Sequence, residues 1–296
     1  FNIKTIHDDR IEGKTSEEDF NKTVDEIIAT IHEAKDNINI PFAVFKITGI
    51  CRFEILEKSN KSETELSEDV KAEYEKLVNR IDQICKAAFD SSVPLFIDAE
   101  ETWIQDGIDR IIRQMSLKYN SKRAIVYNTI QMYRHDRLAF LKNEIKHSNE
   151  NNYVLGMKIV RGAYMEKERE RAEKLGYPSP IQPNKEASDR DYNSALELSL
   201  NNIENVSICA GTHNEDSSAF LAELLLKHNI SKNDPRVYFA QLLGMSDHIS
   251  FNLAHHGYLV AKYVPYGPIR EVMPYLLRRA DENTSVSGQT TRELSL

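Results

Sequence analysis

The amino-acid sequence predicts an α/β fold, a barrel of eight parallel strands each followed by a helix. Eight short runs rich in β-branched and aromatic residues alternate with longer stretches of helical periodicity, the order that helical crossovers between parallel strands require. The 296 residues, 41% of them hydrophobic, suffice for one barrel with a packed core. No G-x-G-x-x-G follows the first strand run, which disfavours a doubly wound sheet without excluding it.

The elements follow in order. Residues 2–7 (NIKTIH) read as a strand, and 16–34 as a helix opened by Ser16 and three acidic residues. The second strand run, 41–48 (PFAVFKIT), is followed by a helix over 67–89 with Ser67 at its start. The third run, 93–98 (VPLFID), precedes a helix over 102–119, and 124–130 (AIVYNTI) and 154–161 (VLGMKIVR) are the fourth and fifth. The sixth, 205–211 (NVSICAG), leads to a helix over 217–229, and 236–241 (RVYFAQ) and 258–263 (YLVAKY) complete the set. The most linker-like stretches, 57–68 and the proline-rich 176–184, fall inside β-to-α connections, so a single domain over 1–296 is expected.

Composition excludes several classes. A net charge of −8 argues against nucleic acid as a partner. The 3 cysteines, Cys51, Cys85 and Cys209, form no C-x-x-C, and the histidines form no H-E-x-x-H, so no metal is expected. No apolar run is long enough to cross a membrane. The chain begins at Phe1, next to a strand run, and upstream sequence is expected.

In a parallel barrel the functional groups gather at the C-terminal ends of the strands. Polar residues stand there in most runs: Glu12, Lys46, Asp98, Asn128, Gln131, Lys158, Arg161, Thr212, His213, Asn214, Gln241 and Tyr263. A lysine inside PFAVFKITGI needs a partner, because an unpaired buried ammonium is costly, and Asp98 is the expected one. The plainer reading makes that pair structural. Near the C-terminus, PYLLRRADEN (274–283) reads as a helix with Tyr275, Arg278 and Arg279 on one edge. Such an edge is either solvated or a fork for a carboxylate. Together with Lys46, Lys158 and Arg161 these arginines imply an anionic ligand, and the lack of an obvious acid/base pair favours a cofactor that carries the chemistry.

Seven stretches in order, FIDAEETW (96–103), NTIQMYRHD (128–136), KIVRGAYMEKER (158–169), GTHN (211–214), FAQLLGM (239–245), KYVPYG (262–267) and YLLRRADEN (275–283), resemble the proline dehydrogenase family, flavoenzymes that also form one half of bifunctional proline utilisation proteins. The resemblance implies a distorted (βα)8 TIM barrel with its last helix over the mouth. It implies FAD-dependent oxidation of L-proline to Δ1-pyrroline-5-carboxylate, with hydride transfer from proline C5 to flavin N5. Electrons would pass to a quinone, ubiquinone or menaquinone.

By the same resemblance, Lys46, Arg278 and Arg279 bind the proline carboxylate, and Asp98 and Lys158 serve the reacting centre. Tyr263, Tyr275, Ala163, Tyr164 and Leu242 line the proline ring, and Glu12 closes the pocket by pairing with Arg278. FAD contacts fall on Asn128, Lys158, Val160, Gly162, Ser188, Thr212, His213, Asn214, Gln241 and Glu282. Lys158 and Met165 stand where some bacterial members have Arg and Trp. Tyr263 stands where the hydroxyproline-oxidising branch has a smaller residue, so proline is expected as substrate and hydroxyproline is the alternative. The implied setting is peripheral contact with a membrane, on the cytoplasmic face of a bacterial inner membrane or on the mitochondrial inner membrane. The product would pass to a separate pyrroline-5-carboxylate dehydrogenase. Two other classes compete: a Schiff-base lyase or aldolase using Lys46 or Lys158, and an amino-acid sensor without catalysis.

Overall fold

In the computed structural model the described residues are 2–9, 16–61, 66–266 and 273. Eight parallel strands form a closed barrel: β1 (Ile3–Asp9), β2 (Phe42–Phe45), β3 (Leu95–Ile97), β4 (Val126–Gln131), β5 (Leu155–Val160), β6 (Val206–Gly211), β7 (Val237–Leu242) and β8 (Val260–Tyr266). Each strand pairs with the next, and β8 returns to β1 with Ile6 opposite Tyr263. Closure leaves no sheet edge.

The helices among the described residues are α1 (Glu17–Ala34), α2 (Phe53–Lys61), α3 (Glu68–Ser91), α4 (Thr102–Tyr119), α5 (Arg137–Glu150), α6 (Met165–Leu175), α7 (Lys185–Leu200), α8 (Glu215–Lys227) and α9 (Asp247–His255). Ser16 caps α1 by accepting from the Asp19 amide at 3.1 Å. Ser67 stands at the N-cap of α3 but makes no side-chain capping bond.

Two expectations need correction. β2 stops at Phe45 rather than at residue 48, and Ile47–Gly49 form a 3-10 turn. The reason is its neighbour: β3 is three residues long, its last pair is Phe45 with Ile97, and beyond it Lys46 leaves the ladder. Residues 57–61, read as linker, are the end of α2. Their polar groups are used by α4: the Gly107 amide donates to Asn60 Oδ1 at 2.9 Å and Arg110 to the Asn60 carbonyl at 3.0 Å. The helix expected over the mouth, 275–282, lies outside the described residues.

The core has an inside and an outside. Outward side chains of β2 and β3 pack on α1 to α4, and those of β5 to β7 on α5, α7, α8 and α9. The barrel interior is filled by Ile6, Phe42, Val44, Phe96, Tyr127, Cys209, Tyr238 and their neighbours. Phe42 is the hub, stacked on Phe96 at 4.2 Å and edge-on to Tyr127 at 5.7 Å and Tyr238 at 4.8 Å. Gly156 makes room for this plug, because a Cβ there would lie 2.8 Å from the Tyr127 ring. The barrel is therefore closed below by an aromatic floor and usable only at its upper end. Phe42→Ala removes the hub and is expected to destabilise the protein by about 3–5 kcal/mol, read as a lower denaturant midpoint.

Candidate active site

Strand periodicity builds the site. Side chains alternate faces along a strand, so Lys46 continues the inward row Phe42–Val44, Asp98 follows Phe96, Lys158 follows Gly156, and Tyr263 follows Ala261. Parallel strands all end at the same mouth. Four polar side chains from β2, β3, β5 and β8 therefore stand above the aromatic floor.

Lys158 is at the centre. Its ammonium, on a 5% exposed residue, pairs with Asp98 Oδ1 and donates to the Tyr263 hydroxyl at 2.8 Å. It also lies 5.4 Å from the centroid of the Phe96 ring and 4.8 Å from that of Tyr263. A buried charge is tolerable only with such partners. The expected Lys46–Asp98 pair is thus replaced by Lys158–Asp98.

Lys46 has other contacts. Its Nζ donates to the Tyr164 hydroxyl at 3.3 Å and lies 3.9 Å from Glu100 Oε2. Tyr164 donates to the same carboxylate oxygen at 3.3 Å, and Thr48 Oγ1 donates to Glu100 Oε1 at 2.7 Å. Glu100 was not singled out from the sequence; its only signal is a position two residues after Asp98 in FIDAEETW. Burial pushes its carboxyl up to about 7, with Lys46 and Thr48 pulling the other way.

The turn carrying Asp98 and Glu100 is tied down from two sides. Glu168 of α6, fully buried, accepts from the Thr102 amide at 2.7 Å and its hydroxyl at 2.6 Å, capping α4 from another helix. On the other side Gln105 accepts from the Glu100 amide at 2.7 Å and donates to Asp109, which also accepts from Asn128 and Arg137. Sequence reasoning missed these supports because the contacts of Glu168, Asn128 and Arg137 join residues far apart in the chain, and the local Gln105 bonds carry no motif of their own.

The remaining predicted residues divide. Val160, Gly162 and Ala163 lie at the open tip of β5, the last two exposed, and Leu242 packs on the interior cluster. Thr212 and Asn214 are used in the fold: Thr212 Oγ1 accepts from Arg161 at 2.7 Å, and Asn214 caps α8. Arg161, counted as a rim cation, also donates to Asp189 and Ser217. His213 bonds Ser246 at 3.0 Å, and Ser188 is buried in the first turn of α7. Asn128 and Gln241 sit on the outward faces of β4 and β7, held by Asp109 and Ser250. On β4 the residue of the inward row is Gln131, which donates to the Glu100 carbonyl at 2.8 Å. Glu12, Tyr275, Arg278, Arg279 and Glu282 lie outside the described residues.

The sequence profile of the proline dehydrogenase family matches residues 2–292. The chain belongs to the proline dehydrogenase family. It is 39% identical to mitochondrial proline dehydrogenase 1 of Drosophila melanogaster, over 75% of this chain and 34% of that protein. It is 34% identical to mitochondrial proline dehydrogenase 1 of Dictyostelium discoideum, over 98% of this chain and 58% of that one. The chain thus spans about a third to three-fifths of the length of these relatives. Among solved structures, proline utilization A from Bdellovibrio bacteriovorus, inactivated by N-propargylglycine, superposes with a TM-score of 0.82. That likeness covers 96% of this chain and 30% of that one, and at 21% identity it concerns the fold.

The tip of β5 fits the flavin that the family implies. Gly162 has φ +131°, and a Cβ there would lie 2.3 Å from the Tyr133 ring, so only glycine allows this turn. With Ala163 beside it, the strand end stays open next to Lys158, where a flat ring can approach the backbone.

Glu100 also carries a stability prediction. A carboxyl raised from its ordinary 4.5 to about 7 holds a proton that the unfolded chain has lost between those pH values, so its contribution to stability falls as pH rises through about 7. Glu100→Gln is expected to gain on the wild type by about 1–3 kcal/mol at pH 8 relative to pH 5, measured by urea melts at both.

Proposed function

We propose that this protein oxidises L-proline to Δ1-pyrroline-5-carboxylate with FAD as cofactor and a quinone, ubiquinone or menaquinone, as electron acceptor, acting as one domain over 1–296. The observation that carries the reading is the group Lys158, Asp98, Tyr263, Lys46 and Tyr164 above the aromatic floor, in a chain matched almost throughout by the family profile.

In this reading Lys46, with Arg278 and Arg279, takes the carboxylate through charge-assisted hydrogen bonds. Tyr164, Ala163, Leu242, Tyr263 and Tyr275 enclose the ring, and Glu12 pairs with Arg278 to close the pocket. The aromatic floor excludes water from below. The cations favour loss of the proton from the bound amine, and the freed lone pair at nitrogen assists departure of hydride from C5. The chemistry that FAD supplies here is acceptance of that hydride. Lys158, Val160, Gly162, Ser188, Thr212, His213, Asn214 and Glu282 are proposed to hold it. Gln131 takes the inward place on β4, while Asn128 and Gln241, on outward faces, support the rim. Lys158, held by Asp98, supplies a fixed positive charge at the mouth that would favour a cofactor gaining negative charge.

No helix among the described residues is long and apolar enough to cross a membrane. The relatives named mitochondrial favour peripheral contact with the mitochondrial inner membrane; in a bacterium the same contact falls on the cytoplasmic face of the inner membrane. A separate pyrroline-5-carboxylate dehydrogenase would take the product.

The deciding measurement is the visible spectrum before and after anaerobic L-proline. A yellow protein bleached by proline is expected. A yellow protein bleached only by hydroxyproline would move the substrate. A colourless protein, trapped by an amino-acid-derived carbonyl and borohydride, would favour the Schiff-base reading. Tyr263→Ser enlarges the ring pocket and is expected to raise the hydroxyproline-to-proline ratio of kcat/KM about tenfold; an unchanged ratio would remove Tyr263 from specificity.

A further inference from the structure

We propose that Glu100 is a positioning residue of the substrate pocket: it gathers the Lys46 ammonium and the Tyr164 hydroxyl into one corner, and its own charge sets how strongly that corner attracts an anionic substrate group. The inference rests on the reading above, in which Lys46 meets the substrate carboxylate.

The geometry is specific. One carboxylate oxygen, Oε2, serves both Tyr164 at 3.3 Å and Lys46 at 3.9 Å, while Oε1 is held by Thr48 at 2.7 Å. The Glu100 backbone is fixed at both polar atoms, its amide by Gln105 and its carbonyl by Gln131, and the residue is 3% exposed. A carboxyl held this firmly cannot turn away when the Lys46 corner receives a ligand. Two like charges in one small, poorly solvated space repel, so a charged Glu100 opposes the carboxylate that Lys46 attracts. The protonated form still accepts from Thr48 and still bonds Tyr164, but the repulsion is gone.

The neighbouring charges are consistent with titration near neutrality. Among the described residues the groups facing Glu100 are Lys46 at the end of β2, Asp98 and Glu101 on its own turn, and Tyr164 after β5. Asp98 is paired with Lys158, and Glu101 with Lys167 of α6. Lys46 and Thr48 favour the ionised form, and burial together with Asp98 and Glu101 opposes it. The change of charge therefore falls within the range in which an enzyme of this kind works, and it reaches the substrate through Lys46 and Tyr164.

The test uses the holoprotein and tetrahydrofuran-2-carboxylate, a ring carboxylate without an amine, so that the probe itself does not titrate between pH 6 and 9. Binding is read from the perturbation of the flavin spectrum. In the wild type, Kd is expected to rise about five- to tenfold as pH passes through neutrality. Glu100→Gln keeps the shape and removes the charge; its Kd is expected to stay flat and to lie below that of the wild type at pH 8. KM for proline should follow Kd, with kcat changing less. Thr48→Val removes a bond that favours the ionised form and should move the wild-type midpoint to higher pH. A Glu100→Gln profile that copies the wild type, or a Thr48→Val midpoint that does not move, overturns the proposal even if proline still bleaches the flavin. A wild type that proline does not reduce overturns the proline reading and this proposal with it.

Discussion

A lysine ammonium inside a closed barrel needs a negative partner at a fixed place, and the contact between Lys158 and Asp98 meets that need. Neither residue is stable there alone. The pair requires the ends of β3 and β5 to stay level, although β4 stands between them, and the bond from Lys158 to Tyr263 brings β8 to the same height. The stack of Phe42, Phe96, Tyr127 and Tyr238 beneath keeps water from reaching the pair from below. With the dielectric lowered on that side, each charge at the mouth acts more strongly on whatever enters from above.

Much of the polar chemistry near the mouth serves to hold the groups that stand there. Glu168 fixes the start of α4 from α6, and the row Gln105–Asp109–Arg137 fixes the same turn from the other side. Lys262, on the outward face of β8, reaches the connection that follows β7, donating to the Met245 carbonyl at 2.6 Å and to Asp247 at 2.8 Å. These residues stand behind the site and limit the movement of the strand ends. In the proposed reaction such positioning would matter, because rates of group transfer depend steeply on the separation and alignment of the reacting atoms.

Charge at the mouth is more balanced than in the chain as a whole. The chain carries a net −8, whereas among the described residues Lys46 and Lys158 end two of the inward rows and meet Glu100 and Asp98 there. Burial raises the Glu100 carboxyl, so a charge on it is costly there, while Asp98 is compensated by Lys158.

By itself the sequence determined the alternation of strands and helices, and with it the barrel, because period-2 and period-3.6 patterns are local. It also marked Lys46, Asp98, Lys158 and Tyr263 as polar residues at strand ends, but not which way they face: Asn128 and Gln241 likewise follow an apolar residue two positions earlier and point outward. The tertiary structure decided the partners. Whether Asp98 meets Lys46 or Lys158 depends on the heights at which three strands end, and β2 ends early because β3 is short. It decided that Asn128 faces outward and Gln131 inward, since that depends on where β4 starts its alternation. And it decided that Glu100, of two adjacent buried glutamates, is the one that meets Lys46 and Tyr164, because that corner is assembled from residues more than fifty positions apart on either side.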